Sequence, residues 1–253
     1  MAIYQKHSMS FMVHICQLLL GLCFFSVSSI SYAEDTKMVI VLDAGHGGIE
    51  RGAQSQNFDE ADIALDVALR SKRLLEDNGF EVLLTRETDT TLGLQNRPDM
   101  ANKANADVFI SIHVNSAESS SLHGIETYSV DIATDAYSAM VALKENMGIR
   151  VDQAKIPTVN TNTMLLSMEL ADLVQNNVMD TLGTEYETDS IVDLGHKTAM
   201  FSVLVHAQMP AILLEVGFMS NSAEFTHIQS AHYRESIGQS LVTALLEWEE
   251  RNK

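Results

Sequence analysis

Two hydrophobic periods alternate along most of this chain. Short apolar, β-rich runs recur at 38–43, 80–85, 107–112, 124–130 and, after Pro210, 211–216, and they read as buried strands. Helical stripes lie between them. Positions 63, 64, 67, 68, 71, 74, 75 and 78 share one face of a helix over 61–78 that Gly79 closes. Residues 91–105 read as a second helix with a start or kink at Pro98. The chain ends in a helix whose Tyr233, Ile237, Leu241, Ala244, Leu245 and Trp248 form one packing face. Strands alternating with helices predict an α/β fold with a mostly parallel twisted sheet flanked by helices.

Residues 131–200 break that rhythm. A helix near 135–147, a loop around Pro157, an amphipathic run over 164–182 and an acidic, turn-rich 183–193 make a helical insertion before the last strand. Seventy residues is long for a connection within one sheet. A lid or regulatory element and an ordinary pair of surface helices both fit the pattern.

The first 33 residues stand apart. A weakly cationic start (Lys6, His7), an apolar stretch over 11–27 and small residues at Ser31 and Ala33 have the layout of a secretory signal peptide cleaved before Glu34. An uncleaved anchor is the alternative, although about 17 apolar residues sit at the short edge of spanning length. A lipoprotein is disfavoured, because Leu22 precedes Cys23 where a small residue belongs. Cleavage leaves a single domain over 34–253, with no stable membrane anchor and, since Cys16 and Cys23 both go, no cysteine. At that size a domain buries about 70% of the surface its unfolded chain exposes, so no disulfide is needed.

Composition, 46% hydrophobic and 20% charged, fits an ordinary globular protein. The 16 Lys plus Arg against 34 Asp plus Glu give a net charge of −18, which loss of Lys6 takes to −19. Such a chain is no partner for nucleic acid, whose binders neutralise phosphates with cations.

Potential metal ligands and carboxylates gather at strand ends. In Asp43-Ala44-Gly45-His46-Gly47-Gly48, three glycines around one histidine allow a tight turn after the first strand, and Ser111-Ile112-His113-Val114-Asn115 closes the third. The C-terminal edge of a parallel sheet is where ligands bind, so His46 and His113 are expected to share one crevice. Glu60 opens the first helix, where it complements the helix dipole with Asp59 as N-cap, or completes a His, Glu, His set of the catalytic zinc type. Glu215 ends an apolar strand, at a desolvation cost that an ion pair, a backbone cap or a general-base role would justify.

These residues, with Thr85-Arg86, Arg97, Gly124-Ile125-Glu126 and Leu214-Glu215-Val216-Gly217-Phe218-Met219-Ser220-Asn221, resemble the zinc-dependent N-acetylmuramoyl-L-alanine amidases of the amidase_3 type, which are cell-wall hydrolases. The resemblance covers 38–248 and is carried by an ordered set of motifs. It implies one Zn2+ per chain, held by His46, Glu60 and His113, with Glu215 as the catalytic acid that activates water. The implied reaction cuts the amide between N-acetylmuramic acid and L-alanine of the stem peptide. Asn115 is expected to bind substrate or orient His113. Glu126 falls where the family often has a further acidic residue, although an outward strand glutamate is the common reading. His123, His196, His206, His227 and His232 match no ligand motif and are read as surface or structural.

The 131–200 insertion is similar to that of the regulated cell-division amidases, whose inserted helix blocks the zinc. Lys144-Glu145-Asn146 resembles part of that element, which makes Glu145 a candidate inhibitory contact to the metal. If so, deleting roughly 135–180 should raise activity. The expected partners are peptidoglycan and an activator protein, since a net −19 chain gains little from an anionic wall. A monomer in the periplasm is expected, with secretion as the alternative, because no wall-binding repeats occur. A different zinc hydrolase acting on stem peptides is a rival reading, disfavoured by the lack of His-Glu-x-x-His. A non-catalytic wall-binding relative is another, disfavoured because all four chemical residues are present.

Overall fold

The structure, a computed structural model, describes residues 37–147, 151, 160–186 and 191–252. The signal segment with Cys16 and Cys23 and the loop around Pro157 fall outside these residues.

In chain order the first half holds β1 (Val39–Ala44), a small hairpin of β2 (Gln54–Ser55) and β3 (Phe58–Asp59), α1 (Glu60–Asp77), β4 (Glu81–Leu84), α2 (Asn96–Ala104) and β5 (Val108–Asn115). The second half holds β6 (Ile125–Ser129), α3 (Ala136–Glu145), α4 (Thr161–Glu185), β7 (Asp193–Thr198), α5 (Ser202–Val205), β8 (Ala211–Phe218), α6 (Ser222–Ile228) and α7 (Ala231–Asn252). Six strands form one sheet in the order β4-β1-β5-β8-β6-β7. The first four run parallel, β6 pairs antiparallel with β8, and β7 pairs parallel with β6.

Alternation along each strand sorts side chains between two covered faces. Ile40, Leu42, Val108, Ile110, Ile112, Ile212, Leu214 and Val216 pack beneath α1, α4 and α7. Val41, Phe109, Tyr128 and Leu213 pack beneath α2, α3 and α5. Residues Asp43, Ser111, His113, Asn115, Glu126 and Glu215 share the parity of this second set, so the polar positions fall on one face at one end of the sheet. That face carries the site.

Local details follow from the sequence. Gly79, at φ +99°, turns the chain out of α1 and into β4. Pro98 is the third residue of α2, in the first turn, where its missing N–H removes no helical hydrogen bond. Asp59 stands at the N-cap of α1 but caps nothing with its side chain, which accepts instead from Arg51 and Gln54.

The 131–200 excursion divides by role. Helix α4 belongs to the core, with Leu170, Ala171, Val174, Val178 and Leu182 fully buried against the sheet and α7. Strand β7 extends the sheet edge. Helix α3 reaches the polar end of the sheet, where Tyr137 contacts Glu126 and Glu145 contacts His46. Among the described residues no helix is long and apolar enough to cross a membrane.

Candidate metal centre

Three elements deliver the expected ligand side chains to one point. His46 follows β1 in the glycine turn, Glu60 opens α1, and His113 lies in β5. His46 Nε2 is 3.2 Å from Glu60 Oε1, and His113 Nδ1 is 3.0 Å from the same oxygen. The rings stand nearly edge to face, with centroids 5.0 Å apart. Glu60 is fully buried and held from behind, Oε1 accepting from Val114 N–H at 3.0 Å and Oε2 from Ala53 N–H at 2.8 Å. That second donor, Ala53, immediately precedes the short hairpin β2–β3, which the sequence pattern did not signal.

Two glycines leave the room this arrangement needs. A Cβ on Gly45 would sit 2.5 Å from the His113 ring, and one on Gly52 would sit 2.5 Å from Glu60 Oε2. Neither position has space for a side chain.

A fourth group joins the three. Glu145, the last residue of α3, places Oε2 3.1 Å from His46 Nε2 and 3.1 Å from His113 Nδ1. These four residues form a group whose ligand atoms all lie within 4.8 Å of one another. Contacts of 3.0–3.2 Å between nitrogen and oxygen are close to the edge of a tetrahedron about a cation with bonds of about 2.0–2.1 Å. Two imidazoles and two carboxylates so arranged fit a metal ion of the zinc class. Burial opposes charging His46, but the carboxylates of Glu60 and Glu145 outweigh it and raise its pKa to about 10. Burial likewise opposes ionisation of Glu145, yet its close approach to the His113 and His46 rings brings its pKa well below the ordinary value.

Glu215 lies beside this group. It is the Cα partner of His113 across β5–β8 and of Glu126 across β6–β8. It is fully buried, and neither carboxylate oxygen has a hydrogen-bond partner among the described residues. Burial, and then the charges of Glu145 and Glu60, push its pKa well above the ordinary carboxylate value. A buried carboxylate with no structural partner, next to a metal-ligand set, is what a proton-transfer group requires.

Asn115 and Glu126 form a separate cluster next door. Glu126 points inward and is fully buried, which removes the outward reading. It accepts hydrogen bonds from Asn115 Nδ2, Tyr128 Oη, Tyr137 Oη and Lys197 Nζ. Asn115 also donates to Tyr137 Oη and makes no hydrogen bond to His113 among the described residues. Tyr137 belongs to α3, so this cluster holds the start of the helix that carries Glu145. At its other end, Asn146 donates to Met200 C=O and accepts from Ser202 N–H. The remaining histidines stay outside the centre; His196 bridges Ser129 and Asp172 instead.

Residues 40–247 match the Amidase_3 family, described as N-acetylmuramoyl-L-alanine amidase. The chain belongs to the N-acetylmuramoyl-L-alanine amidase family. Among relatives of this amidase-family chain, LytC of Bacillus subtilis is 31% identical over 80% of the chain, and AmiA of Escherichia coli is 28% identical over 84%. The matched region spans 34% of the length of LytC and 76% of that of AmiA. A solved N-acetylmuramoyl-L-alanine amidase of Clostridium difficile 630 superposes with a TM-score of 0.68 at 27% identity, covering 86% of this chain and 99% of that one. The amidase fold is thus the mostly parallel, helix-flanked sheet seen here.

The amidase motifs include residues whose placement sequence reasoning left without a role. Asp43 is fully buried and accepts from Thr85, Arg97 and Ser111. The signal was present in the period-two pattern of 108–115, where Ser111, His113 and Asn115 alternate with Ile110, Ile112 and Val114.

Proposed function

We propose that this protein hydrolyses the amide joining N-acetylmuramic acid to L-alanine of the peptidoglycan stem peptide, with one zinc ion held by His46, Glu60 and His113 and with Glu215 moving the proton. The observation that carries the reading is the convergence of those three ligand side chains beside a buried carboxylate that has no structural partner. A zinc ion held there supplies polarisation of the scissile carbonyl and a water acidified to a pKa of about 7. Glu60, fixed by Ala53 N–H and Val114 N–H, keeps both histidine rings aimed at one point. Glu215 accepts the proton of the attacking water and gives it to the leaving amine of L-alanine. Its burial favours the protonated form between the two transfers, while a bound cation and departure of the Glu145 charge would favour the ionised form that a base needs. Digestion of purified sacculi with mass analysis of the fragments tests this reading: intact stem peptides bearing a free L-alanine amine are expected.

A second proposal concerns Glu145. Its Oε2 lies 3.1 Å from both ligand nitrogens and takes the place that water or substrate needs. We read α3 as an inhibitory plug, seated by Tyr137 at its start and Asn146 at its end, which an activator protein displaces. Residues 1–33 as a signal peptide, a mature domain over 34–253 and a monomeric enzyme in the periplasm complete the proposal. Asn115 and Glu126, released from Tyr137 when α3 leaves, are then free to meet substrate.

A further inference from the structure

His46 holds an unusual backbone conformation. Its φ of +56° is left-handed, a region that is costly for a non-glycine residue and persists only when surrounding structure holds it. Two buried arginines do the holding. Arg86 donates from Nε to Ala44 C=O at 2.8 Å and from one terminal nitrogen to Gly45 C=O and Ala61 C=O, both at 2.8 Å. Its other terminal nitrogen donates to Thr88 C=O at 3.2 Å. Arg97 donates to Ala44 C=O and His46 C=O, each at 2.8 Å. Three consecutive carbonyls of the ligand turn are therefore fixed by guanidinium groups.

The two arginines differ in one respect. Arg97 is paired with Asp43 at 2.7 Å, an ordinary buried ion pair. Arg86 is only 4% exposed, and no carboxylate lies within ion-pairing distance of it among the described residues. A buried unpaired cation is expensive, and burial lowers its pKa. Its four carbonyl contacts, with the more distant charges of Asp43, Asp89 and Asp62, offset that cost. One of its nitrogens joins Gly45, the residue before His46, to Ala61, the residue after Glu60. A lysine could not make these contacts, because its single ammonium lacks the planar fork.

We propose that Arg86 is a positioning residue which fixes the His46 turn against the start of α1, and thereby sets the affinity and geometry of the metal centre. The inference rests on the metal reading above.

The test uses the mature chain, its Arg86→Lys and Arg86→Met variants, and Leu245→Val, in the buried face of α7, as a core control. Zinc affinity is measured by competition with a chelator, the absorption spectrum is recorded for the cobalt-substituted proteins, and melting is recorded without metal. Both Arg86 variants should bind zinc about 10- to 100-fold more weakly, the usual cost of losing a group that orients a ligand. Their cobalt spectra should change, and Leu245→Val should leave affinity and spectrum as in the wild type. Wild-type affinity and an unaltered spectrum in folded Arg86 variants would overturn the proposal. So would failure of both variants to fold, which would make Arg86 a requirement of the fold itself. A wild type that binds no zinc would instead sink the metal reading.

Discussion

His113 and Glu215 are register partners on adjacent parallel strands, β5 and β8, and the pleat turns both side chains to the same face of the sheet. A candidate ligand histidine and the candidate proton carrier are thereby fixed by one hydrogen-bonded ladder, not by a loop. The roles should separate on mutation. Glu215→Gln is expected to lower sacculus digestion by about 100- to 10,000-fold, the usual range for losing an acid–base group. Its zinc content, measured by elemental analysis, should match the wild type, whereas His113→Ala should lose both.

Gly45→Ala addresses the crowding behind His113. The added methyl meets the ring at 2.5 Å, so the ring or the turn must move. Zinc affinity should fall, and melting should drop by an amount equivalent to about 1–3 kcal/mol, as for overpacking elsewhere. Calorimetry and chelator competition check the two effects.

Removing the plug should have the opposite sign. Glu145→Ala is expected to raise digestion about tenfold if the seated helix is favoured by about 1.4 kcal/mol. Deleting 135–180 is not the right test, because that span removes most of α4, a core helix. Unchanged turnover in Glu145→Ala would leave α3 a structural element.

Glu224 should make stability depend on pH. It is buried in α6, accepts from Gly124 N–H and Phe218 N–H, and burial raises its pKa to about 8. Between its unfolded pKa and about 8, the folded chain holds a proton that the unfolded chain has lost. Its contribution to stability is therefore greatest at low pH and falls as pH rises, by at most about 1.4 kcal/mol per unit. Urea titrations at pH 5, 6, 7 and 8 should show this decline in the wild type and a flatter profile in Glu224→Gln.

Much of the fold was legible in residues 38–130 and 211–248, because buried parallel strands and amphipathic helices leave strong periodic signals. Strand β7 left none. Asp193-Leu194-Gly195-His196-Lys197-Thr198 is a polar edge strand with a central glycine and no buried residue. The antiparallel direction of β6 depends on which neighbour it pairs with, which no local pattern encodes. For the site, motif order sufficed to propose His46, Glu60, His113 and Glu215. The inward face of Glu126 and the carbonyl grip of Arg86 depend on long-range placement. Arg86 and Ala61 are 25 positions apart, and Glu126 and Lys197 are 71 apart.

The central claim is metal-dependent cleavage of the sugar–peptide amide. It is tested most directly by incubating purified sacculi with the mature protein and its Glu145→Ala variant, before and after chelation and return of zinc, and weighing the released muropeptides. The account predicts intact stem peptides beginning at L-alanine, lost on chelation and restored by zinc. Release that survives complete metal removal, or fragments cut within the peptide, would contradict it.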